Sequence, residues 1–308
     1  PEHTRYRAVL MRYFGAAPVR DMEPRLRQWA NRLIDRVFDE GRCDFLERLG
    51  APFPVSVFME LMGMPLERFD EFRAIVLEYF SKTTVERRLK LQETFMAIMM
   101  EIFEDRRRAP RDDMATGLVT AEVRGQKLTD EELRSMGFLL FIAGLDTVAN
   151  ALTFAFRHLA MDAPLQRRLA AEPHRIPDFV EESLRRYAVV NQTRIVKKET
   201  VIKGAHFREG DMVCCPLTLA GLDDRVNPEP EKFDIDRPER KHITFSYGPH
   251  VCIGNILARA EMRVFTEEWL KRVDSFRIVP GTKLEWRGGG VMSLAELPVE
   301  WTPRKSAA

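Results

Sequence analysis

The chain is poor in the features by which many functions announce themselves. Only four of its 308 residues are cysteine, at 43, 214, 215 and 252, and the adjacent pair 214–215 is ill placed to bridge. That leaves no disulfide framework and fits a reducing cytoplasm. Neither sign of charge dominates: 48 lysines and arginines nearly cancel 47 aspartates and glutamates, which argues against a nucleic-acid binder. There is no Walker loop, no dinucleotide glycine fingerprint and no zinc-type cysteine pairing. Repeats, low-complexity tracts and a secretory leader are missing too. The chain opens at Pro1 without an initiator methionine, and its first residues read as the middle of a longer protein.

What is present is apolar and mostly helical. Forty-five per cent hydrophobic content is enough for a large core. Apolar residues recur at helical spacing around 20–40, 53–64, 66–82 and 86–108, with a shorter run at 111–121. Thr129 with Glu132 makes a capping-box pattern that opens a helix of about thirty residues. From Ser135 to Phe156 that helix holds one charge, Asp146. A membrane span needs about twenty such residues, but the central aspartate and small residues fit a helix crossing the middle of a soluble protein. Pro164 and Pro177 open two more helices. Strand-like runs follow at Arg194–Lys197, Thr200–Ile202 and Met212–Cys215, then an irregular stretch over 221–251. A last helix covers 253–272, and strand-like pieces close the chain at Phe276–Val279, Leu284–Trp286 and Leu297–Trp301. The expected architecture is mainly α, one domain over 1–308 with small peripheral β-sheets.

The densest signal is Phe245-Ser246-Tyr247-Gly248-Pro249-His250-Val251-Cys252-Ile253-Gly254. Glycines on each side of Cys252 let backbone lie close to a large planar ligand. Cys252 is expected in the first turn of the following helix, where unpaired N–H groups favour the thiolate. A thiolate held so is a haem-iron ligand; the alternative is a buried free cysteine in a turn. A second signal is Ala143-Gly144-Leu145-Asp146-Thr147 inside the long helix. Gly144 weakens the helix, and the Thr147 hydroxyl can bond the carbonyl of Ala143, together opening a groove for dioxygen and water. Asp146 and Thr147 then form a proton-delivery pair. The alternative is an aspartate satisfied by a neighbouring arginine beside a packed threonine.

Phe245-x-x-Gly248-x-His250-x-Cys252-x-Gly254 resembles the haem-binding signature of the haem-thiolate monooxygenases, the cytochrome P450 superfamily, and within it the bacterial camphor monooxygenase group. The similarity runs from Pro1 to about Trp301, and 143–147 matches the family's oxygen-groove motif. The resemblance implies the cytochrome P450 fold, haem b (iron protoporphyrin IX) as cofactor and Cys252 as its iron ligand. It also implies a buried network of Glu182, Arg185 and Arg237, and propionate partners at Arg194 and His250. His3 and Arg7 share a helix face and join them. Gln192 stands where the camphor enzyme has an acidic residue, which alters that contact. Leu139, Ile142 and Ala143, with Val190, Val291 and Met292 at matched positions, are candidates for the substrate pocket; core packing is the equal alternative. An N-terminal region of roughly a hundred residues, a scale comparable to a small domain, is expected upstream.

The function these readings imply is hydroxylation of a small hydrophobic, terpenoid-like substrate with O2. Electrons are expected from a separate 2Fe–2S ferredoxin and its reductase, docking on basic residues that include Arg5, Arg7 and Arg259. Nucleic acid and membrane are not expected partners. Two rivals stand: a peroxide-driven peroxygenase on the same fold, and a haem-binding protein without turnover.

Overall fold

Helix-start chemistry decides where the long elements begin. Thr129 Oγ1 accepts from the Glu132 N–H at 3.2 Å while Glu132 Oε2 accepts from the Thr129 N–H at 2.7 Å, the reciprocal capping box anticipated above. Thr84 caps its helix through the Arg87 N–H, and Asp162 through the Leu165 N–H. The structure, a computed structural model, describes residues 2–80 and 82–304, with Glu2 placed by its backbone alone. Pro1, Ser81 of the expected 66–82 segment and the last four residues of the expected 1–308 domain lie outside the described residues.

The helices are α1 (Glu2–Phe14), α2 (Ala16–Asp35), α3 (Pro52–Met62), α4 (Phe69–Phe80), α5 (Val85–Arg108), α6 (Met114–Val119) and α7 (Asp130–Ala160). They continue with α8 (Ala163–Ala171), α9 (Ile176–Arg186), α10 (Leu217–Ala220) and α11 (Asn255–Arg272). The strands are β1 (Arg42–Asp44), β2 (Glu122–Val123), β3 (Gln126–Lys127), β4 (Gln192–Ile195), β5 (Thr200–Ile202) and β6 (Ala205–Phe207). After them come β7 (Met212–Cys215), β8 (Val273–Ile278), β9 (Trp286–Arg287), β10 (Ser293–Leu294) and β11 (Pro298–Pro303). Sheets are small and antiparallel, in order β1-β11-β8, with pairs β2–β3, β4–β7, β5–β6 and β9–β10. In the β4–β7 pair, Gln192 lies opposite Cys215 and Arg194 opposite Val213.

Helix α7 alone is long and apolar enough to cross a membrane among the described residues, but 56% of its most apolar stretch is buried in protein. It runs through an aromatic core. Phe141 stacks on Phe95 with centroids 3.9 Å apart, and Phe156 stacks on Phe45 at 4.3 Å. Phe265 and Trp269 of α11 are completely buried against the same cluster. Each such side chain contributes about 1.5–3 kcal/mol by leaving water. Two long helices, α7 and α11, are thereby fixed against each other, and both lead to the site.

Candidate active site at the Cys252 loop and the α7 face

No regular element is found between α10 and the short turn at Gly248–His250. The segment is held by its own hydrogen bonds instead. The Cys252 N–H donates to the Phe245 carbonyl at 2.7 Å, Ser246 N–H to Ile243 O at 2.8 Å, and Val251 N–H to Gly248 O at 3.1 Å. Ser246 (φ 64°) and Gly248 (φ 71°) both take the left-handed conformation that turns the loop back on itself. For Gly248 that is free of strain; for Ser246 it is not.

Cys252 itself departs from expectation in two ways. It lies before the helix, not in its first turn: Gly254 is the N-terminal cap of α11, and its N–H reaches the sulfur. Cys252 is open on one side and crowded by protein on the other, and that loss of solvation raises its thiol pKa. The Gly254 N–H and the charges of Arg7 and Arg259 pull the other way but do not win. A helix end therefore does not by itself make a thiolate here. A bound metal would, because a coordinating thiol gives up its proton outright.

Beneath the loop, Arg259 lies 4.5 Å from the Phe245 ring centroid and pairs with Glu181, which His242 also contacts at 3.3 Å. Burial would raise the Glu181 pKa, yet hydrogen bonds from His242 and Arg259 hold it down at about 2. Arg259 is thus engaged by Glu181 and the Phe245 ring.

On α7, Leu139 is 56% and Ile142 39% exposed, and Ala143 and Gly144 are exposed beside them. Such a stripe on a core helix is unusual. The helix is α-helical without interruption through Gly144. Thr147 Oγ1 does donate to Ala143 O at 2.9 Å. A Cβ on Gly144 would meet nothing within 4 Å, so no protein atom demands glycine there. Asp146 forms no ion pair with an arginine among the described residues. Asn150, one turn on and buried, donates from Nδ2 to both Asp146 Oδ1 and Asp146 O at 2.8 Å. Burial lifts the Asp146 pKa to about 6, against the pull of Asn150. A cleft of about 490 Å³ reaches Asp146 between α4, α7 and β10. Asn150 escaped the sequence reading, although the i, i+4 spacing of Asp146 and Asn150 was available to find it.

The exposed α7 stripe and the Cys252 loop meet. A pocket of about 510 Å³ is lined by His3, Tyr6, Arg7, Leu139, His250 and Ile253. His3 stacks on His250 with centroids 4.2 Å apart, and His3 Nε2 lies 3.2 Å from Pro249 O. Arg194 sits on β4, its guanidinium donating to Thr193 O and to Gln192 Oε1, both at 2.8 Å. Val190 bridges Val291, and Met292 N–H donates to Val189 O at 2.7 Å; all three side chains are half-buried against the core.

A cytochrome P450 family model matches residues 54–285. The chain is 35% identical to the probable cytochrome P450 127A1 of Sinorhizobium fredii, over 98% of this chain and 73% of that one. The chain belongs to the cytochrome P450 family. It is also similar to the steroid C26-monooxygenase of Mycolicibacterium smegmatis, at 30% identity over 98% of this chain and 78% of the relative. The solved structure of the bacillaene polyketide synthase cytochrome P450 PksS of Bacillus subtilis superposes with a TM-score of 0.91, at 31% identity, covering 97% of this chain and 79% of that one. This chain is therefore a cytochrome P450 monooxygenase, an oxidoreductase of the cytochrome P450 fold with haem as cofactor.

The residues present fit haem. Glycines 144, 248 and 254 leave space that a Cβ would fill without touching protein. The chain also offers an open thiol at Cys252, an uncovered apolar stripe on α7, and His3, Arg7 and His250 in one pocket with Leu139, side chains suited to two carboxylates.

Behind the loop sits a second cluster. Arg185 Nε and Nη2 grip the two Glu182 oxygens at 2.8 Å each, and neither residue has any exposure. Arg185 also donates to the carbonyls of Gly221, Pro230 and Lys232. Arg237 reaches Glu182 at 3.6 Å and donates to Pro228, Glu229 and Lys232 carbonyls. The pairing thus satisfies backbone of the irregular stretch that no sheet or helix could satisfy. At Gly221 a Cβ would lie 2.1 Å from Arg185 O, so only glycine permits this approach.

Proposed function

We propose that this cytochrome P450 binds haem b through Cys252 and hydroxylates a small hydrophobic, terpenoid-like molecule with O2. His3, Arg7, Arg194 and His250 hold the propionates; Ala143, Gly144, Phe245, Gly248 and Gly254 shape the cofactor's bed. Leu139, Ile142, Val190, Val291 and Met292 line the substrate pocket. Electrons come from a 2Fe–2S ferredoxin and its reductase, in the cytoplasm. The observation that supports this reading best is the single pocket shared by His3, Arg7, Leu139 and His250 beside the Cys252 loop. When bound, haem supplies the oxygen-activating chemistry; the chain supplies binding, an apolar environment and protons. The steroid C26-monooxygenase relative, named for a polycyclic apolar substrate, supports a pocket of this lining. Turnover of a terpenoid panel with O2, ferredoxin and reductase is the test. Equal turnover with hydrogen peroxide alone would replace this reading with a peroxygenase.

Asp146 and Thr147 are the proton-delivery pair, with Asn150 fixing the Asp146 carboxyl. Thr147→Ala should keep haem and consume reducing equivalents while several-fold more of them leave as peroxide. Equal product per electron in the variant and the wild type would remove Thr147 from the reaction.

The Asp146 pKa of about 6 gives a pH signature. The wild-type rate of oxygen activation should fall as pH rises through 6 and the carboxyl loses its proton. Asp146→Asn should be slower by roughly 10²-fold or more and lack that inflection. Folding raises this pKa above its ordinary 3.8, so the stability it contributes is present below that value and lost as pH climbs through 6. A thermal-stability profile of Asp146→Asn should lack this decline. An unchanged inflection in the variant assigns it to another group.

A further inference from the structure

Gln192 makes two contacts with one atom. Its Oε1 accepts from Arg194 Nη2 at 2.8 Å and from Ser246 Oγ at 3.0 Å. Arginine can only donate, so the atom facing it must be the amide oxygen. The two donors come from different parts of the chain: Arg194 from the same strand, Ser246 from the Cys252 loop, 54 residues away in sequence.

Each end has a consequence. Arg194 forms no ion pair among the described residues; its partners are the Thr193 carbonyl and this amide, both neutral. A carboxylate at 192 could make the same bond but would cancel the charge. Ser246 holds φ at 64°, a conformation strained for a non-glycine residue. Its peptide with Phe245 carries the carbonyl that accepts the Cys252 N–H at 2.7 Å. Fixing Ser246 therefore fixes the plane of that peptide, and with it the direction of the bond that closes the loop around Cys252.

We propose that Gln192 is a positioning residue of the cofactor site. Its oxygen aims the Arg194 guanidinium without neutralising it, and it holds Ser246 in the left-handed turn that closes the Cys252 loop. The proposal rests on Cys252 being the haem ligand and Arg194 a propionate partner, and it divides into two separable effects. The charge effect acts on the cofactor through Arg194. The loop effect acts on Cys252 through Ser246.

Four variants of the haem-loaded chain separate them. Gln192→Glu keeps both acceptor contacts and adds a charge. It should leave the thiolate-type carbon monoxide spectrum intact, shift the reduction potential to more negative values and speed haem transfer to apomyoglobin several-fold. Ser246→Ala breaks the loop contact and keeps the strained φ, so a visible share of its carbon monoxide spectrum should move to the non-thiolate form. Ser246→Gly, which takes φ > 0 without strain, should restore the wild-type spectrum. Gln192→Leu should show both faults. Exchange of the Cys252 amide hydrogen should be about tenfold faster in Ser246→Ala and Gln192→Leu than in wild type. A wild-type potential and haem-transfer rate in Gln192→Glu would overturn the charge effect. Indistinguishable Ser246→Ala and Ser246→Gly proteins would overturn the loop effect. If the wild-type chain binds no haem, the reading of Cys252 falls, and amide exchange at Cys252 still decides the loop contact.

Discussion

Cys252→Ala is expected to abolish the thiolate-type carbon monoxide difference spectrum completely, while Cys43→Ala and Cys214→Ala leave it intact. The expectation comes from where each sulfur sits. Cys43 is on β1, opposite Val299 in the main sheet, and burial pushes its thiol pKa up to about 12. It behaves as a small apolar side chain. Cys214 is on exposed β7, opposite Thr193, with no loop folded around it. Only Cys252 combines an open face with an N–H aimed at its sulfur and two guanidinium charges near enough to act on it. Its raised pKa in the free chain is no objection, because a bound metal replaces the proton. Haem retention should fall with the spectrum. A Cys252→Ala protein that keeps the thiolate band would move the ligand elsewhere and end the present assignment.

Much of this site was legible because its signals are local. The capping box at Thr129 and Glu132 sets the start of α7 through neighbours three residues apart, so it could be read from the letters. The same holds for Pro164 and Pro177, which sit in the first turns of α8 and α9. The Thr147 hydroxyl bond to Ala143 is likewise an i−4 contact. What escaped was set by packing at a distance. The short helix α10 and strand β6 have too few residues to show a period. Strand β4 begins two residues before its expected start because its register is fixed by β7, Gln192 against Cys215. The last helix begins at Asn255, since Gly254 serves as cap where the apolar pattern suggested continuation. The sign of the Cys252 pKa change was not readable at all: helix end and burial oppose each other, and only the fold says which is larger.

Arg185→Ala should give a chain that folds poorly or loses haem, whereas Arg186→Ala, its neighbour, should change stability by less than about 1 kcal/mol. The two arginines differ in surroundings, not in chemistry. Arg186 pairs with Glu231, whose side chain is 72% exposed, so water solvates that carboxylate once its partner is gone. Arg185 and Glu182 are both fully buried. Taking away the guanidinium leaves the Glu182 carboxylate with only Arg237 and Arg240 at 3.6 and 3.9 Å and the Asp234 N–H at 2.9 Å. It also strips the donor from the Pro230 carbonyl and leaves the Gly221 carbonyl with the Asn227 amide alone. Breaking one side of a buried pair costs on the order of 3–5 kcal/mol, a large part of the roughly 5–15 kcal/mol that holds a protein folded. At about 2–4 °C per kcal/mol for domains somewhat smaller than this one, the melting temperature should drop by roughly 6–20 °C. The loss should fall first on the irregular stretch 221–247, whose backbone these arginines satisfy, and so on the Cys252 loop that follows it. Limited proteolysis should therefore cut Arg185→Ala within that stretch before it cuts α7. Early cleavage elsewhere, or a stable haem-loaded Arg185→Ala protein, would show that the loop is held by something other than this pair.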